Sequence, residues 1–165
     1  MIYLGFIHFN DTPDKGQELS SVLESYTQLP TVVRKNSLTL CYGKLSNKHD
    51  MDDIWENSST ILMGRIFDKE KECSFVKRNF KDLTSLNKEE ALKKIWGKYI
   101  YINVNDGRFE IVIDSTGQLP FFYYSFPDGN ILFSSDIELI FKILDQNPEY
   151  NWTYLYSYLI YGNSC

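Results

Sequence analysis

A closely spaced series of turn signals between Lys98 and Leu144 constrains this chain more than any other feature. Short runs of β-type residues alternate with Asn105-Asp106-Gly107, with Asp114 to Gly117, and with Pro127 to Asn130. Asn-Asp-Gly supplies the positive-φ residues of a tight hairpin, and the other two are turn chemistry of the same kind. Connections this short join antiparallel strands, because a parallel pair needs a crossover of a dozen residues or more. Phe109, Ile111 and Ile113 alternate with Arg108, Glu110 and Val112, so one face is apolar and the other only partly polar. Ser135 with Glu138 has the spacing of a capping box, and Ile137, Ile140, Phe141 and Leu144 then share one helical face. The stretch reads as an antiparallel meander delivered into a helix that packs on it, with Gly117 at positive φ in the turn.

The rest of the chain follows the same grammar. Ile2 to Phe9 is a strand. Thr12-Pro13 reads as an N-cap with Pro at the first helical position, and Leu19, Val22, Leu23 and Tyr26 share a face of the helix that Pro30 ends. Thr31 to Arg34, Leu38 to Leu45 and Thr60 to Phe67 are strand-like, the last ending at Asp68. Asn47 to Asn57 reads as a polar loop, and Ser74 to Ser85 is ambiguous. Asn87 with Glu90 opens a helix expected to run through Trp96, with Gly97 as its cap. Strands joined by hairpins and bracketed by helices imply an α+β layered domain.

With 165 residues, 43% hydrophobic and 24% charged, the chain has the size and composition of one domain. A net charge of −5 without a basic stripe argues against nucleic acid or a membrane surface as partner. No apolar run approaches the ~18 residues of a membrane span, and no basic-then-apolar signal segment opens the chain. Cys41, Cys73 and Cys165 are too widely spaced for a disulfide framework or a paired metal site. A reduced, cytoplasmic protein is the expectation.

The order Asp114-x-x-Gly117-x-x-Pro120-x-Phe122-Tyr123, a turn, then Leu132-Phe133-Ser134-Ser135-Asp136-Ile137 resembles the class II glutamine amidotransferase domain of asparagine synthetases. The match in spacing covers about fifty residues, and a weaker match in the same order extends over most of the chain. The resemblance implies a four-layer αββα sandwich of the N-terminal-nucleophile (Ntn) hydrolase type, with two antiparallel sheets between helices. Asp114, Gly117 and Pro120 are then structural turn positions.

The same resemblance implies a chemistry that this sequence lacks. The family's nucleophile is a cysteine exposed by Met removal, whose own α-amine acts as base. Here the position holds Ile2, and a bulky residue after the initiator disfavours Met removal. The family's asparagine-glycine pair supplies oxyanion donors. The matching segment is Met63-Gly64-Arg65-Ile66-Phe67-Asp68, in which Met63 replaces the asparagine and Arg65 reverses a charge. The aspartate that holds the glutamine amine has no counterpart near Cys73 to Arg78. Ile2, Met63, Gly64, Arg65 and Asp68 would form a vestigial pocket, with no catalytic residue and no metal ligand.

Other chemistry-bearing residues have plainer readings. Cys41 reads as an inert core thiol rather than a relocated nucleophile, and His8 as a satisfied strand histidine. His49 with Asp50, Asp52 and Asp53 reads as a solvated acidic loop rather than a metal site. Asp114 reads as a turn cap rather than an acid-base group. Arg65 stays open between a surface charge and a ligand or partner contact.

The resemblance points to family members that form amides without glutamine-derived ammonia, the β-lactam synthetases and, closer in pattern, the macrolactam cyclases of lasso peptides. Residues 1–148 would be the inactive glutaminase-like domain of such an enzyme, and 149–165 the start of a connection to a C-terminal synthetase domain in the same or a separate chain. That domain would use ATP and Mg²⁺ to adenylate a carboxylate, on a precursor peptide in the cyclases; this chain needs no cofactor. Two alternatives are a free-standing binding or regulatory module and an amidohydrolase with Cys41 or Cys73 as nucleophile. Eight of the ten residues Trp152 to Tyr161 are apolar or aromatic. As a helix they would be apolar nearly all round, so the side left uncovered by this domain is expected against that synthetase domain, and in isolation the segment should dimerise, pack in a crystal or fray; the alternative is a helix fully enclosed by its own domain.

Overall fold

The computed structural model describes residues 1–8, 16–25, 30–35, 37–43, 53–56, 59–69, 88–105, 108–147 and 149. Within them lie β1 (Ile2–Ile7), α1 (Gly16–Glu24), β2 (Thr31–Lys35), β3 (Leu38–Gly43), β4 (Asp53–Glu56) and β5 (Thr60–Asp68). These are followed by α2 (Lys88–Lys94), β6 (Ile95–Asn105), β7 (Arg108–Ile113), β8 (Phe122–Ser125), β9 (Ile131–Ser134) and α3 (Ile137–Leu144). The class is α+β. One sheet has the order β2-β3-β1-β9-β8 and the other β4-β5-β6-β7, with every pair antiparallel.

All six residues of β1 are buried, because packed layers cover both faces of the sheet at this strand. β1 is the central strand of its sheet, and its period of two sends alternate side chains into different cores. Tyr3 and Ile7 join Leu38 and Leu40 of β3 and Phe133 of β9. They meet Ile61 and Met63 of β5 and Ile100, Ile102 and Val104 of β6, so the two sheets pack face to face. Ile2, Leu4 and Phe6 point the other way, with Cys41 and Leu132, onto Leu19 and Leu23 of α1 and Leu139 and Ile140 of α3. On the far side of the second sheet, Leu62, Ile66 and Tyr101 pack on Ala91 of α2. Helices thus cover both outer faces of the stacked sheets.

The helices are seven to nine residues long. That is below the ~12–15 residues at which an isolated helix is even marginal. Packing therefore holds them. Burying each of Leu19, Leu23, Leu139 and Ile140 contributes at most about 1.5–3 kcal/mol. At the far side of the stack, Lys35 of β2 and Glu56 of β4 form an ion pair (3.2 Å) between the two sheets' edge strands.

Several local expectations are corrected. The stretch from Lys98 to Leu144 is not one meander: β6 and β7 belong to one sheet and β8 and β9 to the other. The chain crosses between them from Asp114 to Phe121. The helix after Asn87 ends at Lys94, because Ile95 to Lys98 pair with Asp68 to Arg65 and extend β6 to 11 residues. Gly97 is therefore a strand residue opposite Ile66, and Trp96 stacks on its cross-strand partner Phe67 with ring centroids 4.6 Å apart. Asp53–Glu56 is a strand within the expected polar loop, drawn into the sheet by Trp55, which is buried against Leu62. The cap of α3 is Asp136, whose carboxylate accepts from Glu138 N–H at 3.0 Å, while Ser135 is engaged with β1. The four expected face residues of α3 also divide: Ile140 is buried with Leu139, whereas Ile137 is 45% exposed.

Candidate functional site

The N-terminal end of β1 is where the resemblance would place the chemistry, and three segments converge on it. Ser134 and Ser135, at the end of β9, clasp Tyr3. Tyr3 N–H donates to Ser135 Oγ (3.0 Å), and the Tyr3 carbonyl accepts from Ser134 Oγ (2.9 Å) and Ser135 N–H (3.1 Å). Ser134 Oγ in turn accepts from Asp136 N–H (3.1 Å), which ties the start of α3 to the same point. The Tyr3 hydroxyl donates to the carbonyl of Pro120 in the crossing segment. Its ring is fully buried, and that burial pushes the phenol pKa well above its ordinary value. Phe121 stacks on Phe133 (5.4 Å), which packs between the sheets.

Asp114 organises the entry to this crossing. It is buried, and its carboxylate accepts from Thr116 N–H (2.8 Å), the Thr116 hydroxyl and Tyr99 N–H (3.3 Å). Its own N–H donates to Tyr99 O (3.0 Å), and its carbonyl accepts from Gly117 N–H (3.1 Å). The bonds to Thr116 and Gly117 hold the turn, and the two to Tyr99 tie it to β6. Gly117 has φ 59, the left-handed conformation expected of it. Burial, and then the nearby Asp114 carboxylate, push the Tyr99 phenol pKa upward.

The five residues of the expected pocket do not all meet. Met63 is fully buried in the inter-sheet core with Tyr3 and Leu119. Gly64, at φ 129, lies so close to the Lys98 carbonyl that a Cβ would collide with it, and Leu119 closes the remaining space. Arg65 is half-buried and stands directly opposite Lys98 in the β5–β6 ladder. Ile2, however, faces the helix-covered side of its sheet, away from Met63. Asp68 is buried at the end of β5, four residues beyond Gly64, or roughly 13 Å along a strand. Of the five, only Met63, Gly64 and Arg65 adjoin one another, as consecutive residues of β5, and Tyr3, Leu119 and Phe133 share the inter-sheet core with Met63. Sequence reasoning missed that packing. A tyrosine at the third position of an otherwise aliphatic strand was the available signal.

Cys41 is a buried thiol on the helix side of β3, in the cluster with Leu19 and Leu132. His8 follows β1, with its ring stacked on Phe6 (6.3 Å). Cys73, Cys165, His49, Asp50 and Asp52 lie outside the described residues, as do Thr12-Pro13, Tyr26, the stretch from Ser74 to Ser85 and the segment from Trp152 to Tyr161. Among the described residues, no group of three or more His, Cys, Asp or Glu side chains could hold a metal ion. No helix among them is long and apolar enough to cross a membrane. Compared with known proteins, the chain matches no family model and no curated sequence.

Proposed function

We propose that this chain is a catalytically inactive glutaminase-like domain, of Ntn-hydrolase-like αββα architecture, in an ATP-dependent amide-forming enzyme of the asparagine synthetase type. The observation that carries the reading is the filled end of β1. Where the family needs a thiol, a free amine and an oxyanion donor, this chain has an apolar plug of Tyr3, Met63 and Leu119. A glutaminase also needs water and substrate at that point, and a buried phenol hydrogen-bonded to Pro120 excludes both. The role left to such a domain is structural. It supports a synthetase domain that adenylates a carboxylate with ATP and Mg²⁺, and an amine already in the substrate closes the amide. A lasso-peptide precursor or a β-lactam precursor is the substrate class, and the cytoplasm the compartment. The clasp of Ser134 and Ser135 on Tyr3 gives the Leu132 to Ile137 stretch a structural role that needs no catalysis: it locks β9 and α3 to β1.

Reading the DNA beyond the Cys165 codon tests the partner half. A pyrophosphate-loop motif of the ser-gly-gly-x-asp-ser type, in frame or in an adjacent gene, is the expected result. A stop codon with no such motif nearby would contradict it. One observation favours a second reading, a binding module for an anionic group: Arg65 and Lys98 stand opposite each other beside Gly64. Calorimetric titration with glutamate, glutamine and a carboxylate-terminated peptide decides that reading, since heat lost in Arg65→Gln would establish a site there.

A further inference from the structure

Helix α3 carries more apolar surface than its sheet covers. Leu139 and Ile140 are buried on β1 and β9, but Ile137, Phe141 and Leu144 continue around the helix, and Ile137 is 45% exposed. Across from them, β8 is the edge strand of its sheet, with Phe122 39% and Tyr123 67% exposed. Between helix and edge strand lies an open groove of about 410 Å³ whose walls are aromatic and aliphatic, with no charged side chain. Gln146, just past the end of α3, lines its rim.

We propose that this groove is the docking site of the chain's own segment from Trp152 to Tyr161. Three observations select that occupant. The segment matches the groove in chemistry: eight of its ten residues are apolar or aromatic and none is charged. It is also within reach. Five residues separate Trp152 from Gln146 at the rim, six steps that span up to about 20 Å when extended, whereas α3 is roughly 12 Å long. The segment can therefore fold back along the whole groove. Finally, it is tethered. A short linker gives an effective concentration in the mM range, above that of a second copy in ordinary solutions. Docking in cis thus wins over pairing with another molecule. The inference does not depend on the amide-forming reading, because it concerns only the surplus face of α3 and the edge of β8.

Amide hydrogen exchange on the full chain tests it, with light scattering on the same samples. Amides of Trp152 to Tyr161 are expected to exchange at least about tenfold more slowly than in the free peptide. The protection should be the same after tenfold dilution, in a monomeric sample. Two variants place a carboxylate in the groove without touching the core. Ile137→Asp sits at the first helical position, where an acid suits the helix dipole. Tyr123→Asp sits on the exposed edge strand. Either one should reduce the protection of Trp152 to Tyr161 at least about threefold while leaving the β1 and β6 amides unchanged. Free-peptide exchange rates in the unaltered chain would overturn the proposal. So would protection that both variants leave intact, which would place the segment elsewhere, or protection that disappears on dilution together with a dimer mass. If neither variant folds, Phe122→Asp, exposed on β8 and lining the same groove, takes their place with the same two outcomes.

Discussion

Gly5 is the position at which a single methyl group should reveal how tightly the sandwich closes. It lies opposite Phe133 in the β1–β9 ladder, and a Cβ built on it would overlap the Phe133 ring at three atoms. The ring has nowhere to go: it is fully buried, stacked on Phe121 at 5.4 Å and beside Tyr3 at 6.3 Å. Overpacking of this kind costs about 1–3 kcal/mol. At roughly 2–4 °C per kcal/mol for a domain of this size, Gly5→Ala should lower Tm by about 2–12 °C. The mechanism is checked by a double-mutant cycle with Phe133→Leu, which removes the ring edge. In that background Gly5→Ala should cost less, by a coupling of about 0.5–3 kcal/mol. Thermal and urea unfolding followed by circular dichroism would measure all four proteins, with unchanged m values confirming comparable states. An equal cost of Gly5→Ala in both backgrounds would refute the steric account.

Gly117→Val should destabilise by about 1–3 kcal/mol, from backbone strain alone, because no atom lies within 4 Å of the added Cβ; an unchanged melting midpoint would show that the turn is drawn wrongly. Tyr3→Phe should cost about 0.5–1.5 kcal/mol at neutral pH through the lost bond to Pro120. The folded state raises the Tyr3 pKa, so that contribution is complete below pH ~10 and is lost as pH rises beyond it. The parent protein should therefore lose stability more steeply above pH ~10 than Tyr3→Phe, and parallel curves would contradict the buried phenol. Cys41→Ala should leave the native titre with an aromatic disulfide reagent unchanged and lower the denatured titre by one thiol, since Cys41 is buried; a native titre lower by one would place Cys41 at the surface.

The sequence made local structure legible wherever one residue type has one cheap conformation. Gly117 at positive φ, the turn ending at Asn130 and the burial of Leu19 and Leu23 all follow from such preferences. It was less informative where two elements compete for one residue. Ser135 and Asp136 are equally good caps, and only the tertiary bond from Tyr3 N–H to Ser135 Oγ leaves the helix to Asp136. Trp96 and Gly97 fit a helix end in isolation, but β5 offers them a ladder. Membership of a sheet was hidden for a related reason. Nothing local in Asp114 to Phe121 says that the chain leaves one sheet for the other, because that depends on Leu119 finding the inter-sheet core. For the candidate site, Ile2 and Met63 could be read as standing where the resemblance expects a nucleophile and an oxyanion donor. The packing of Tyr3 and Leu119 around Met63 could not, since they are brought together across 116 positions by the fold.

The central claim, that the end of β1 is a filled and non-hydrolytic site, is tested most directly by incubating the purified chain with glutamine and measuring glutamate. No release above buffer is the predicted result, at any pH from 6 to 9 and with or without ATP and Mg²⁺. Loss of one oxyanion donor alone typically costs ~10²–10³ in rate, and without a nucleophile the covalent route is closed. Glutamate production that scales with protein concentration and disappears in Cys41→Ser would contradict the account.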